Sequence, residues 1–485
     1  MPRPNLGEAN TKIVCTVGPA CDTVEKLVTL IEHGADIFRI NSAHGNRESH
    51  ERILAAIREA AVLTGYQVGV LLDLAGPKLR LGTLLTDPLL CEVGMELTFV
   101  RGDVATESHE LTSAYTRLID ELKVGNRVML ADGTVALEVT AVTPDRAHCR
   151  VTGGGEIRSR QGINLPGVSL SVSSMRPSDV DNAIWGAKVG IDFISLSFVR
   201  SAEDVQSLKN LLTSYESHAL VVAKIEKREA LDDLEAIVDA ADGVMVARGD
   251  LGVEIDVAET PVAQKRIIRV CREKLKPVIV ATQMLESMHH NRRPTRAEAS
   301  DVANAILDGA DACMLSGETA IGDYPVEAVD TMNRIMIHTE RELMHGVLQV
   351  SRGEIKRVHA VTSAVAFGAT SIAEAIQAKM IVIATRSGGT AWVKSNQRSL
   401  IPTIGASDNE ETLRRMTIFW GIKPCRVRQL DDGDELFAEI SRGAWENGLA
   451  EPGDRIVFVT GNSVLHNAHN LLVVHSVTPE SCQSV

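Results

Sequence analysis

The sequence predicts an α/β protein: a (β/α)8 TIM barrel, a small β-barrel lid domain inserted into it, and an open α/β domain at the C-terminal end. Three observations predict it. Short β-branched runs alternate with helical patterns in steps of about 25 to 30 residues, as in a parallel sheet built from βαβ units. The rhythm stops near Gly82 for short strands and turns, then resumes past Met175 with enough strands to bring the total to eight, the count of a closed barrel. A third stretch of strands and helices follows a polar segment at 351–356.

Taken in order, strand runs fall at 13–17, 37–40 and 68–72, with helical patterns at 24–33 and 49–64 between them. The interrupting stretch holds strand runs 96–100, 127–130 and 135–142, and Asp132-Gly133 between two of them is a hairpin signal. Five further runs, 193–196, 219–223, 244–247, 278–281 and 312–315, complete the barrel. Thr260-Pro261 reads as an N-cap and N1 pair, and Thr295-Arg-Ala-Glu298 as a capping box with Gly309 closing that helix. The last region carries a helix at 361–378 and strands at 380–384, 402–405, 425–427 and 455–460. The expected boundaries are 1–81 and 176–350 for the barrel, 82–175 for the lid and 351–485 for the C-terminal domain.

Composition narrows the function. With 44% hydrophobic and 24% charged residues the chain reads as an ordinary soluble protein. A net charge of -14 repels a phosphate backbone, which argues against nucleic acid and acidic membranes as partners. The eight cysteines are dispersed with no Cys-x-x-Cys pair, so free thiols in a reducing compartment are expected. No apolar run is long enough to span a bilayer and the first residues carry no apolar signal core, so the expected location is the cytoplasm.

In a parallel barrel the chemistry lies where the strands end, and here those ends are rich in charge and hydroxyl. Strand two ends in Arg39-Ile-Asn41 followed by His44, and strand three in Asp73 with Lys78 and Arg80 beyond it. Strand five ends in Lys224-Ile-Glu226, strand six in Gly249-Asp250, strand seven in Thr282 and strand eight in Ser316-Gly-Glu318. Glu226 and Asp250 offer oxygen ligands to a hard divalent ion, Mg²⁺ or Mn²⁺. Arg39 and Arg80 offer forks for phosphoryl oxygens, Lys224 a compact charge, and Gly249 backbone N–H groups for an anion. Thr282 is a hydrogen-bond donor or a proton relay. Singly, each has a bland alternative, such as a solvated Lys224–Glu226 pair or a loop histidine at 44; jointly they suit phosphoryl transfer.

The chain resembles the pyruvate kinase family over nearly its full length. The likeness runs through Thr11-Lys-Ile-Val-Cys-Thr-Val-Gly-Pro-Ala20, Gly162-Ile-Asn-Leu-Pro-Gly167, Met245-Val-Ala-Arg-Gly-Asp-Leu-Gly-Val-Glu254, Ala281-Thr-Gln-Met-Leu-Glu-Ser-Met288 and Met314-Leu-Ser-Gly-Glu-Thr319. The resemblance implies Mg²⁺-dependent transfer of a phosphoryl group from phosphoenolpyruvate to ADP, giving pyruvate and ATP. It implies that Arg39 and Lys224 hold the phosphoryl group, that Glu226 and Asp250 bind the metal, and that Gly249, Asp250 and Thr282 seat the substrate. Asn41, His44 and Arg80 then face the nucleotide, Thr282, Ser316 and Glu318 form a proton relay, and the assembly is a homotetramer.

Several positions depart from the family. Where a K⁺-binding serine and a glutamate are common, this chain has Ala43 and Lys78, and an ammonium there substitutes for the monovalent cation; K⁺ independence is expected. Ser201 and Ser171 replace a nucleotide-side lysine and a lid aspartate. Thr385-Arg386-Ser387-Gly388-Gly389-Thr390 resembles the family's phosphate-binding effector loop, so a phosphorylated effector is expected. Gly461-Asn-Ser-Val-Leu-His-Asn467 stands where some members have a glycine-rich effector loop. Two other readings compete with the active enzyme, which needs Arg39, Lys224, Glu226, Asp250 and Thr282 together: a different Mg²⁺-dependent barrel acting on enolpyruvate or pyruvate, which has no use for the lid or Arg80, and a silent relative, which would typically have lost Lys224 or a metal carboxylate.

Overall fold

The computed structural model describes residues 9–168, 171–343, 360–428, 430, 433–460 and 471–479. The expected linker at 351–356, the loop at 461–467 and Cys482 lie outside them. Eight parallel strands close into a barrel: β1 Lys12–Thr16, β2 Ile37–Asn41, β3 Gly69–Asp73, β4 Phe193–Leu196, β5 Leu220–Ile225, β6 Gly243–Ala247, β7 Val278–Ala281 and β8 Ala312–Leu315, with β8 pairing back onto β1. Their residues are almost all buried, as expected of strands covered by the barrel interior on one side and helices on the other.

The lower end of the barrel repeats one device four times. Asp36, Asp192, Asp242 and Asp311 each directly precede an even-numbered strand. Each accepts a hydrogen bond at 2.9 Å from the backbone N–H of Ile13, Val70, Val221 or Val278 on the odd-numbered neighbour. A cation balances each one: Lys12 at 3.3 Å, Arg58 at 2.9 Å, Lys209 at 2.9 Å and Arg398 at 2.8 Å.

Between β3 and β4 the chain forms a seven-stranded sheet in the order Leu79–Arg80, Gly162–Asn164, Arg127–Leu130, Val135–Val142, Arg146–Gly153, Glu96–Val100 and Glu110–Leu111. Its outer strands come together through a bridge from Leu81 to Ser113 and a 2.7 Å bond from Gly82 N–H to Thr112 O, which curls the sheet into a small barrel. Period-two alternation puts Val135, Leu137 and Val139 inside. The expected Asp132-Gly133 turn is present, with positive φ from Ala131 to Gly133.

The C-terminal sheet runs Ile422–Arg426, Thr403–Ser407, Met380–Ala384, Arg455–Thr460 and Leu471–Ser476, the last antiparallel to its neighbour. It docks under the barrel, where Leu413, Met416, Ile418 and Phe419 share one core with Val14, Ile37, Leu71 and Phe193 from inside the barrel. Polar ties reinforce the contact: Arg414 Nε lies 2.7 Å from Asp192, Lys12 Nζ donates to Ile422 O at 2.9 Å, and Arg398 comes from this unit to Asp311.

Two local expectations need correction. Thr260 begins the helix Thr260–Glu273 instead of capping it, because Glu259 before it is already in the right-handed helical region. Residues Arg248–Glu254, for which the sequence shows no helical pattern, form a short helix. The capping box at Thr295 and Glu298 and the left-handed Gly309 at the helix end are as expected.

Candidate active site

Side chains two residues apart on a strand share a face, so the barrel interior can be built upward from its floor. The floor is Val14, Ile37, Leu71, Phe193 and Val222, all in one apolar cluster. Two residues further along the same strands come Thr16, Arg39, Asp73, Ser195 and Lys224; another step, just past the end of β5, gives Glu226. A polar layer therefore caps an apolar one.

Asp73 is the node of that layer. Its carboxylate accepts Nε and Nη2 of Arg39 at 2.9 and 2.5 Å and the hydroxyl of Ser195 at 2.6 Å, and Lys224 Nζ lies 3.3 Å from it. Burial alone would raise its pKa, but Lys224, Arg39 and the Ser195 hydroxyl bring it down to about 2. Lys224 Nζ also lies 3.0 Å from Glu226 Oε1 and donates to Ser197 Oγ at 2.8 Å. Burial disfavours its charge, yet Asp73 and Glu226 outweigh that and hold the ammonium charged. Glu226 is pushed the other way, up, by burial and the nearby Asp250 charge, with Lys224 opposing. Phe198 N–H donates to Glu226 Oε2 at 2.6 Å from a residue held at φ 55°.

Asp250, in the short helix Arg248–Glu254, pairs through Oδ1 with Lys78 Nζ at 3.0 Å. Among the described residues no three His, Cys, Asp or Glu side chains converge as a metal cage. What the site offers is two adjacent carboxylates, hard oxygen donors, with the remaining positions left to water and substrate. That set suits Mg²⁺ or Mn²⁺ and not a soft metal.

The far side of the site is held by Arg248. Its guanidinium donates to Thr282 O at 2.6 and 3.2 Å and is anchored by Asp301 at 2.7 and 2.9 Å. Thr282 needs the support, since a β-branched residue at φ 68° is strained. Its hydroxyl accepts Gly249 N–H at 2.9 Å and donates to Ala281 O at 2.6 Å. Glu318 is fully buried and accepts the N–H groups of Ser316 at 2.7 Å and Leu285 at 3.2 Å; burial raises its pKa.

A cleft of about 530 Å³ opens beside this cluster, lined by Thr16, Arg39, Asn41, His44 and Ser316 among others. The structure thus brings Arg39, Asn41, His44 and Ser316 to one cavity. Arg80 is not among its lining residues; it is exposed, and its Nη1 donates to Arg160 O at 3.0 Å within the inserted sheet. Ser171 bonds to Glu121. Ser201 precedes the helix Ala202–Ser214 without capping it through its side chain. The Thr385–Thr390 loop is well away, under the barrel; Thr385 Oγ1 accepts Gly388 N–H at 3.0 Å, and Gly388 at φ 82° starts the helix Gly389–Asn396. The sequence reading missed the holding roles of Arg248, Ser195 and Ser197. The two serines had a signal, an i, i+2 pair at the end of β4 and just past it, whereas Arg248 had none, its partner lying 53 residues on.

Comparison with known proteins agrees with this geometry. The family model described as pyruvate kinase, barrel domain, matches residues 8–329, and that described as pyruvate kinase, alpha/beta domain, matches 363–475. The chain is 40% identical over 472 residues to a pyruvate kinase of Geobacillus stearothermophilus, covering 96% of this chain and 80% of that one. It is 39% identical over 475 residues to that of Corynebacterium glutamicum, covering 96% and 98%. The crystal structure of a pyruvate kinase from Cryptosporidium parvum superposes with a TM-score of 0.89 at 34% identity, covering 97% of this chain and 96% of that one. On barrel, cluster and sequence together, the chain belongs to the pyruvate kinase family of phosphotransferases.

Proposed function

We propose that the protein transfers the phosphoryl group of phosphoenolpyruvate to ADP, with a divalent ion held by Glu226 and Asp250. The single observation that carries this reading is the interlocked set Arg39–Asp73–Lys224–Glu226, two cations and two acids paired together at the carboxyl ends of three strands. Buried charges are tolerated only when paired, and a substrate bearing phosphoryl and carboxylate oxygens can share those cations without leaving any acid alone. Mg²⁺ or Mn²⁺, when bound, would neutralise charge shared between the phosphoryl group and the carboxylate of the substrate.

The chain's own residues supply the rest. Arg39 orients phosphoryl oxygens with its fork and Lys224 offsets their charge, both pre-aligned by Asp73, so little rearrangement accompanies transfer. The Gly249 and Asp250 N–H groups and Thr282 seat the carboxylate, which takes over the bond Gly249 now gives to Thr282. Asn41, His44 and Arg80 face ADP; Arg80 stands on the strand that leads into the lid at 82–175, whose closure brings it in and excludes water. Thr282, Ser316 and Glu318 pass the proton that converts the enolate to pyruvate.

Lys78, with Ala43 in place of a hydroxyl, supports K⁺ independence. The Thr385–Thr390 loop, with hydroxyls and N–H groups at a helix start and Arg386 beside them, supports a phosphorylated effector, and a homotetramer fits the family. Pyruvate formation from phosphoenolpyruvate, ADP and Mg²⁺, assayed with the native chain and with Lys224→Met, tests the reading. The native chain is expected to be active and the variant to lose at least about three orders of magnitude in kcat; a silent native chain sinks the proposal.

A further inference from the structure

His289 stands against the back of the site described above, at the end of the 3-10 turn Glu286–His289. Its ring lies on Gly317, so closely that a Cβ there would fall 2.2 Å from Cε1 and 2.4 Å from Nε2. Gly317 joins Ser316 to Glu318 and, with Ser316, lines the cleft. Nε2 is buried and has no hydrogen-bond partner, an uncommon state for a ring nitrogen that usually finds one. It is 3.9 Å from Glu318 Oε2 on one side and 3.9 Å from Glu286 Oε1 on the other. A small turn of the imidazole or one bridging water spans either gap.

The three groups form a graded path. The Glu286 side chain is 56% exposed, that of His289 20% and that of Glu318 1%. The remaining charged neighbours are already engaged: Asp323, whose N–H bonds His289 O at 2.8 Å, pairs with His290 at 3.0 Å. His290 itself meets the His289 ring edge-on at 6.2 Å between centroids. Cys15, the other titratable group that senses Glu318, is itself buried, so among the described residues the path from Glu318 to an exposed carboxylate runs through His289.

The proposed reaction consumes a proton at every turnover, and a buried carboxyl that gives one up must be recharged. From this geometry we infer that His289 carries protons from solvent to Glu318, and so reloads the relay that protonates the enolate. The inference rests on the relay reading of Ser316 and Glu318 given above. In the reloading step the Nε2–H bond of imidazolium breaks and an O–H bond forms on the Glu318 carboxylate; the neutral imidazole then regains a proton from hydronium or buffer acid in the solvent beside Glu286, the one proton the overall reaction takes up. Histidine suits the task because it exchanges protons near neutral pH. His289 acts through Glu318 and does not touch the substrate.

The experiment compares native enzyme, His289→Gln and Glu318→Gln. It measures kcat against pH, the KM for phosphoenolpyruvate, and deuterium uptake from D2O into the methyl group of pyruvate. His289→Gln is expected to lower kcat and methyl exchange by about fivefold or more, to lose the near-neutral limb of the kcat profile and to be restored by added imidazole, with KM nearly unchanged. A native exchange rate and pH profile in His289→Gln, with exchange abolished in Glu318→Gln, overturns the role of His289 alone. A raised KM without imidazole rescue overturns it too, as the mark of a merely structural residue. Undiminished exchange in Glu318→Gln instead overturns the relay reading beneath it.

Discussion

Lys78 places its ammonium 3.0 Å from Asp250 Oδ1, so a charge fixed to the chain lies beside one of the two carboxylates proposed to hold the metal. An ammonium there does electrostatically what a bound monovalent cation would do, and repels one that approaches. Activity in a potassium salt and in a tetramethylammonium salt is therefore expected to be equal; a severalfold gain with K⁺ would count against the assignment. Lys78→Met should lower kcat/KM for phosphoenolpyruvate by about tenfold, or about 1.4 kcal/mol.

Asp73 orders both cations of the proposed phosphoryl site. Asp73→Asn keeps its shape but removes the charge that Arg39 and Lys224 share, leaving the buried Lys224 with Glu226 alone. Breaking a buried charge network costs about 3–5 kcal/mol, and misplacing two catalytic groups costs about a hundredfold in rate. Thermal unfolding and steady-state kinetics should register both losses; a variant with native kcat/KM would show that the two cations hold themselves.

Arg248 tests the strained corner. Arg248→Lys preserves the charge but not the fork that grips Thr282 O twice while pairing with Asp301. The expected result is a KM for phosphoenolpyruvate raised about fivefold, since Thr282 relaxes from its positive φ. Crystals of the variant with Thr282 unmoved, or an unchanged KM, would refute it.

Lys394, in the helix Gly389–Asn396 beyond the effector loop, is almost completely buried, and burial lowers its pKa to about 8, with Glu374 opposing only in part. A lysine depressed below its unfolded value penalises the folded state fully below pH 8, and the penalty fades as pH rises from there toward about 10.4. Lys394→Met is accordingly expected to raise the melting temperature at pH 7, by a free energy of about 2–4 kcal/mol, with the gain shrinking at pH 9. A gain that does not vary with pH would point to packing and not to the charge.

Much of this was legible in the chain. The runs 193–196, 278–281 and 312–315 are buried on both faces, so their apolar stretches coincide with the strands. Lys224 and Glu226 announced a shared face by their spacing of two. The strand Leu471–Ser476 was missed because it is a partly exposed, antiparallel edge beside a parallel set, with no βαβ unit before it. The helix Arg248–Glu254 was missed because Gly249 and Gly252 weaken helix propensity, and tertiary anchoring of Arg248 overrides them. Three of the four aspartates under the barrel had a visible signal, Gly34-Ala35-Asp36, Gly190-Ile191-Asp192 and Gly309-Ala310-Asp311, which becomes meaningful only once the strands are paired; Asp242 follows Ala240-Ala241 and had none.

Those aspartates staple the strands in twos, first to second, third to fourth, fifth to sixth and seventh to eighth. The inserted sheet leaves the chain between the third and fourth, inside a stapled pair. It hangs from the open rim of a couple whose feet are tied by Asp192, so a pull on the sheet meets a seam already closed at its base.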